Sequence, residues 1–420
     1  MTAESLLVDP RLGVVTSLTR QPVAPGMPLA WVAYGATVAR TAGFTADRFG
    51  FGASLGDPDR ARMAALGEAI ERYCGNAVPA GLPLLTYDEL GVDAVDPLTL
   101  ALYSPRQYAS VGFPFVPFTR DLPVSWVPGR DVSTGVEVLV PLSVAYLDTN
   151  RPSLRQPPTN ALCYAGIATG ETREQAERFA LQELLERDAS TVWWHSDAPA
   201  LEVADGQEVV DLLDDPCADQ RTVRLLVIPS EFGVPVLGAF VEDHAEGLIA
   251  FGTACRSDPR EAATKALVEA FGLLQVTRQL ADPEGDIWRA VRSGEIGAHT
   301  FKPFRADRSY ADAFRSDYRD LVDLPAVAQL YLDPRMQGAP LDRLRPSESV
   351  RFAELPAGSD RLGLRAVSVD LTTPDVAKAG LTVVRVVVPG LYGNAPAAFP
   401  YLGGSRIVDD GVVRAPIPLA

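Results

Sequence analysis

The strongest constraint on this chain is that one helical pattern recurs along it. Residues 65–72 read ALGEAIER and residues 180–187 read ALQELLER, while residues 266–269 begin the pattern again as ALVE. A recurring unit of this kind implies similar pieces of structure that bury their apolar faces together. On a helical wheel Glu71 lies about 60° to one side of Glu68 and Arg72 about 40° to the other. Met63, Leu66 and Ile70 point the opposite way and are the expected core positions. The second segment repeats the arrangement, with Glu183, Glu186 and Arg187 on one side and Leu181 and Leu185 on the other. Its start is signalled by Thr172 with Glu174 and Gln175 close behind, a capping sequence.

Between such helices lie runs rich in Val, Ile and Leu: VLVPLSVAYL, VRLLVIPS, LRAVSVDL and LTVVRVVVPG. These suit strands covered on at least one face. The expected class is α/β (α+β), with helices packed on mixed sheets. A chain of 420 residues with 47% hydrophobic content can bury a large core. Its 35 prolines and 34 glycines are spread throughout, and the densest polar stretch, residues 150–160, is too short for a linker. A single domain over residues 1–420 is expected, with residues 1–45 as an N-terminal extension and 407–420 as a proline-containing tail.

Charge and cysteine usage exclude several functions. Lys and Arg total 38 against 54 Asp and Glu, a net charge of -16 that argues against gripping nucleic acid or anionic lipid. Peptide partners are expected to be neutral or basic where they touch this surface. The opening MTAESLLVDPRLG lacks a basic-then-apolar signal and no run is long enough to span a membrane, so a cytoplasmic protein is expected. Cys74, Cys163, Cys217 and Cys255 are far apart, and only His195, His244 and His299 accompany them; this is not a zinc pattern. The cysteines read as small buried apolar residues. Trp193, Trp194 and His195 read as core filling after the second helix rather than as a peptide groove. Pro374 and Asp375 read as a turn or helix start, with Thr372 or Thr373 as its N-cap.

A lone ExxER is best explained as a solvated helix face, but two similarly patterned helices supply four carboxylates. Brought together, they would repel and raise one another's pKa values unless divalent cations neutralised them. Oxygen-only ligation favours Mg2+, which keeps waters and bridges nucleotide phosphates. A di-iron bundle would need Glu-x-x-His, which is absent. No GxxxxGK[ST] loop is present either, so Mg2+ and ATP are expected at a site of another kind.

The segments GFGASLGDPDRARMAALGEAIERYCG, AGIATGETREQAERFALQELLERDA and FGTACRSDPREAATKALVEAFGLLQ resemble the three signature blocks of YcaO proteins. The resemblance continues through VSVDLTTPDVAKAGLTVVRVVVPGL and FPYLGGSR to APIPLA. It is nearest to the docking-type cyclodehydratase subunits of azole-forming peptide synthetases, of the thiazole/oxazole and thiopeptide kind. It implies an enzyme using ATP and Mg2+ to convert Cys, Ser or Thr of a ribosomally made peptide to azolines. The side chain adds to the preceding carbonyl, the resulting oxyanion is phosphorylated, and phosphate leaves. Carried over, Glu68, Glu71, Glu183 and Glu186 match the family's metal and phosphate site. Arg72 and Arg187 match structural or phosphate-facing positions, and Glu269 matches the start of the third block. Arg406, in GGSR, suits an anion or plain surface solvation, and the terminal carboxylate of Ala420 matches a tail proposed to assist the cyclisation base, with an extended, solvated tail as the alternative. The implied partners are a precursor peptide and a separate leader-peptide-binding protein, with a homodimer left open.

Several positions depart from the family pattern. Phe51 stands where Gly-Lys-Gly has its lysine, Ala64 where Ser is common, Ala165 where Asn precedes Gly166, and Gly272 where a Gln often follows Glu269, although Gln275 lies one turn on. The tail has only Pro416 and Pro418. These departures would allow a second reading, a non-catalytic scaffold of the same synthetase. A more distant third is a YcaO enzyme forming thioamides or amidines.

Overall fold

The computed structural model describes residues 2–39, 48–90, 93–147, 149, 154, 156–356 and 363–419. Fourteen strands are found among them: β1 Val15–Arg20, β2 Trp31–Val38, β3 Phe49–Leu55, β4 Leu84–Leu85, β5 Val124–Asp131, β6 Glu137–Pro141, β7 Ile167–Gly170, β8 Leu201–Val203, β9 Arg221–Val227, β10 Val236–Asp243, β11 Leu248–Cys255, β12 Ser349–Val350, β13 Val367–Asp370 and β14 Thr382–Val387. They form three sheets, ordered β1-β2-β3, β4-β5-β13-β14-β7 with β6 beside β5, and β11-β10-β9-β8-β12. Every pairing is antiparallel except β12 with β8. The class is mixed α/β, as expected.

Each sheet receives one long helix: α1 Pro58–Asn76, α2 Arg173–Trp194 and α3 Pro259–Ala281. All three start in the same way. Asp57, Thr172 and Asp258 are N-caps whose side chains accept backbone N–H bonds from the first turn, and Pro58 and Pro259 stand at the first helical position. Each cap precedes the aligned glutamate by eleven residues, 57 to 68, 172 to 183 and 258 to 269. The repeat is therefore a strand–cap–helix unit, larger than the helical octet alone.

Glycines set how closely helix and strand approach. A Cβ at Gly50 or Gly52 would run into the backbone of Ala61, Ala65 and Ala69, and one at Gly252 into Ala266 and Ala270. Small residues on both sides thus let each helix lie flat on its strand. Each helix also touches the strand of the next unit: α1 reaches β7, α2 reaches β11 and α3 reaches β3. The three units close into a ring, with their glutamates turned inward.

The core follows this plan. One apolar cluster joins α3 to β9, β10 and β11, a second joins α1 to β5, β6 and β13, and a third lies between α2 and β14. Leu66, Ile70 and Leu185 are buried as expected and Leu181 packs at the edge. Met63 is 43% exposed, because the helix turns that flank toward the N-terminal residues 2–8 instead of a sheet. Residues 2–39, placed in an extension by the sequence, supply β1 and β2 and so belong to the first sheet. The run VLVPLSVAYL is a strand only to Pro141; Leu142–Ala145 is a helical turn, since Pro141 lacks the N–H that would continue the ladder. The helix at Pro374–Lys378 begins at Thr373. No helix among the described residues is long and apolar enough to cross a membrane, and all four cysteines are unbridged.

Candidate active site

The first glutamate of α1 and of α2 reaches back to its own unit. Phe51 N–H donates to Glu68 Oε2 at 2.9 Å, and Gly166 N–H donates to Glu183 Oε2 at 2.9 Å. The two bonds span the same seventeen residues, so repetition in sequence has become repetition in geometry. The second glutamate of each helix reaches forward to the next unit instead. Thr169 N–H donates to Glu71 Oε1 at 2.8 Å, and the Thr253 hydroxyl donates to Glu186 Oε1 at 2.8 Å. The four carboxylates are thus fixed to backbone and hydroxyl donors of the three strands.

Two arginines stand among them. Arg72 Nη2 pairs with Glu68 Oε1 at 2.6 Å and its guanidinium lies 4.5 Å from the centre of the Tyr164 ring. Arg187 Nη1 is 3.4 Å from Glu186 Oε1. Burial opposes its charge, yet Glu186, Glu183 and Glu269 together hold it above the ordinary range. Burial also opposes ionisation of Glu269, but the ion pair with Lys265, helped by Arg187 and Arg256, keeps its carboxyl low.

Glu71 behaves differently. Desolvation, followed by repulsion from Glu183 and Glu68, pushes its carboxyl up to about 8, and burial with the Glu186 charge raises Glu183 as well. Carboxylates crowded beyond what Arg72 and Arg187 neutralise fit a divalent cation. Among the described residues no three such side chains make a closed metal cage. Mg2+ does not need one, since it takes one or two carboxylates and completes its shell with phosphate and water. Arg187 Nε, shielded and without a hydrogen bond, fits an anionic oxygen.

Arg406 sits elsewhere. Its guanidinium grips Asp188 with two bonds of 2.7 Å and also pairs with Glu231, so it is no free phosphate ligand. It clamps the C-terminal segment onto α2 beside Arg187. The tail is docked: Trp194 Nε1 donates to the Ala415 carbonyl at 2.7 Å, Tyr331 Oη donates to that of Pro416, and Pro416 and Pro418 are buried. Ala420 lies outside the described residues. Trp193 and Trp194 are buried core residues, as expected, although Trp194 and His195 also line a cavity. Gln275 holds the N-terminal segment through Ala24 N–H and the Pro22 carbonyl, away from the carboxylates. At the departures Ala64 is exposed, while the carbonyls of Ala165 and Cys163 are gripped by the wholly buried Arg385. A Cβ on Gly272 would meet the Phe51 ring.

Sequence reasoning passed over Thr169, Thr253, Asp188 and Arg385. A signal for the threonines exists, since each lies in the strand just ahead of a helix cap, in IATG and FGTAC. Arg385 and Asp188 find their partners across 220 and 218 residues, which no local pattern reveals.

Residues 51–392 match the family model described as YcaO cyclodehydratase, ATP- and Mg2+-binding. An uncharacterised protein of Methanothermobacter thermautotrophicus is 28% identical over 346 residues, 79% of each chain. Among solved structures, a heterocyclase in complex with substrate and cofactor superposes with a TM-score of 0.63 at 22% identity, over 94% of this chain and 52% of that one. This chain therefore spans about half of that protein's length. YcaO from Methanopyrus kandleri, bound with AMPPCP and Mg2+, superposes with a TM-score of 0.55 at 21% identity, over 91% and 90% of the two chains. The structural likenesses establish the fold, and the match over residues 51–392 establishes descent: the chain belongs to the YcaO family, for which ATP and Mg2+ are the cofactors.

Proposed function

We propose that this protein is an ATP-dependent cyclodehydratase that forms azolines from Cys, Ser or Thr of a ribosomally made peptide, delivered by a separate leader-binding protein. The observation carrying this reading is the set of four tethered carboxylates, with Glu71 raised to about 8 by its neighbours. Glu68, Glu71, Glu183 and Glu186 are the residues that hold Mg2+, and Arg187 faces phosphate. When bound, ATP with Mg2+ supplies the phosphoryl group that makes the amide oxygen a leaving group. The protein's own contribution is positional. Strand donors from Phe51, Gly166, Thr169 and Thr253 fix the carboxylates before ligand arrives, so little reorganisation is needed at the moment of reaction. The docked tail forms one side of the adjoining cavity.

The test is intact-mass measurement of precursor peptide with this protein, its leader-binding partner, ATP and Mg2+. Loss of one water per ring is expected, and Glu71→Gln or Glu186→Gln should abolish it. Unchanged ring formation in both variants would overturn the site. One observation favours a non-catalytic scaffold instead: the Phe51 ring occupies the third unit's counterpart of the Glu71 and Glu186 seats. Calorimetry showing no Mg2+-ATP binding, with or without peptide and partner, would decide for that reading.

A further inference from the structure

A cavity of about 360 Å3 lies between the C-terminal half of α2, the loop after β14 and the docked tail. It adjoins the carboxylate site, because Arg187 lines both. Its inner wall carries polar atoms with nothing to bond. Ser190 Oγ and Asn394 Oδ1 are shielded from water and make no hydrogen bond within the chain, and Ser190 is only 2% exposed. Buried polar atoms left unpartnered destabilise a fold, so their presence beside a cavity points to a ligand that pairs with them. A hydroxyl and an amide oxygen lining one cavity match the carbonyl and N–H of an extended peptide backbone.

The rim adds a charge preference. Arg106 and Arg319 are exposed at the mouth, and among the described residues neither forms an ion pair. Arg106 lies where a side chain at Gly411 would stand, so this glycine, at φ 74°, leaves room for the guanidinium beside the tail. The Arg319 guanidinium gives one N–H to the Val111 carbonyl, and its backbone N–H donates to Asp317, whose carboxylate also feels its charge. The nearby Asp317 is already paired with Arg315, and Asp409 accepts from the Ser104 hydroxyl. On a chain of net charge -16, two exposed arginines outside any ion pair among the described residues form a local exception at this mouth.

We propose that this cavity seats the peptide next to its ring-forming residue, with Ser190 and Asn394 pairing to the backbone, and that Arg106 and Arg319 select an acidic side chain there. The proposal rests on the cyclodehydratase reading only for the word ring-forming. It reverses the expectation that peptide partners are neutral or basic at their contacts, since the local field differs in sign from the net charge.

The test uses the full chain with AMPPCP and Mg2+ and rhodamine-labelled dodecapeptides of Gly and Ser around one Cys, flanked by two Glu, two Gln or two Lys. Fluorescence anisotropy should give the Glu peptide at least tenfold tighter binding than the Gln peptide. Arg106→Ala with Arg319→Ala should erase that difference, and Arg106→Glu with Arg319→Glu should invert it toward the Lys peptide. Asn394→Ala should weaken all three alike. Both arginines are exposed, so the variants should melt like the parent, and Arg106→Lys should retain part of the preference if folding is in question. Equal binding of the three peptides, or a preference that survives the double variant, would overturn the proposal. The same peptides fused to a leader, incubated with the leader-binding partner, ATP and Mg2+ and assayed by mass, separate the two readings. Selective binding without water loss removes the cyclodehydratase reading alone, whereas water loss indifferent to flanking charge and to both double variants removes this one.

Discussion

The ring edge of Phe51 lies 3.5 Å from the point where a Cβ on Gly272 would stand. Gly272 follows Glu269 by the three residues that separate Glu71 from Glu68 and Glu186 from Glu183. In the first two units that position holds a carboxylate, bonded across to the next strand at Thr169 or Thr253. In the third it holds no side chain, and the next strand fills the gap with an aromatic ring backed by Trp31 at 6.2 Å between centroids. The two departures from the family pattern are therefore one feature, an apolar plug that closes the third seat of the ring.

Gly272→Ala should stabilise the protein. A helix-interior glycine is about 1 kcal/mol worse than alanine, and the new methyl would meet Phe51 and Trp31 at 3.5 and 3.9 Å, ordinary contact distances. Gly272→Gln should do the opposite, since its longer chain collides with the ring; Phe51→Lys together with Gly272→Gln should recover the loss. Thermal melts of the four proteins check this. A Gly272→Gln variant as stable as Gly272→Ala would show that the ring does not fill the seat.

The carboxylate crowding predicts how stability depends on pH and metal. Glu71 has a folded pKa of about 8 against an ordinary value of 4.5. The fold thus binds this proton more tightly than the unfolded chain, and the resulting stability is present in full below about 4.5 and lost as pH rises through 8. Glu183 shifts in the same direction. Without divalent cation, the melting temperature should fall between pH 5.5 and 8.5; adding Mg2+ should restore most of it at pH 8.5 and little at pH 5.5. Glu71→Gln keeps an oxygen for the Thr169 N–H but removes the charge, so its metal-free melt should be flatter with pH and higher at pH 8.5 than the parent's. A metal-free parent that gains stability across this range would contradict the convergence of Glu71, Glu183 and Glu68.

Much of this site is visible in the chain before folding, and the reason is local. Glu68, Glu71, Glu183 and Glu186 share a helical period, and their partners Phe51 and Gly166 lie seventeen residues back in the same unit. The ring itself is not visible, because it rests on contacts between units: Glu71 with Thr169 across 98 residues and Glu186 with Thr253 across 67. The partner of Arg406 is likewise distant in sequence. A glycine-rich loop suggests an anion, and the anion it meets is the Asp188 carboxylate, not a phosphate. Met63 obeys the apolar period, yet its flank of α1 has no sheet to cover it.

The Asp188–Arg406 clamp should be structural. Asp188 is 1% exposed, and removing one partner of a buried pair costs about 3–5 kcal/mol because the other charge is left uncompensated; Arg406 is partly open, so the lower end applies to its variants. Arg406→Gln should lower the melting temperature and speed proteolysis after residue 406, while the Kd for Mg2+-ATP changes less than threefold. Arg406→Lys should not rescue it, since an ammonium cannot make the two parallel bonds. A large loss of nucleotide affinity in a variant that melts normally would return Arg406 to the phosphate site.

The last prediction concerns the tail. Trp194 Nε1 and Tyr331 Oη donate to consecutive carbonyls, Ala415 and Pro416, and with Pro416 and Pro418 buried these bonds hold the chain end along the cavity wall. Prolines suit such a segment: they fix an extended backbone and have no N–H needing a partner of its own. Trp194→Phe and Tyr331→Phe keep most of the packing and remove one donor each, about 1 kcal/mol per bond. The global melt should therefore move by only a few degrees, while hydrogen exchange at Ile417 and Leu419, the residues beyond the second bond, rises more than tenfold in the double variant. If the tail also walls the reaction chamber, ring formation should fall in proportion to that opening, with the Kd for Mg2+-ATP unchanged. Exchange that stays slow in the double variant would mean that Ile417 and Leu419 hold the tail through apolar packing alone, and that the paired donors do not position it.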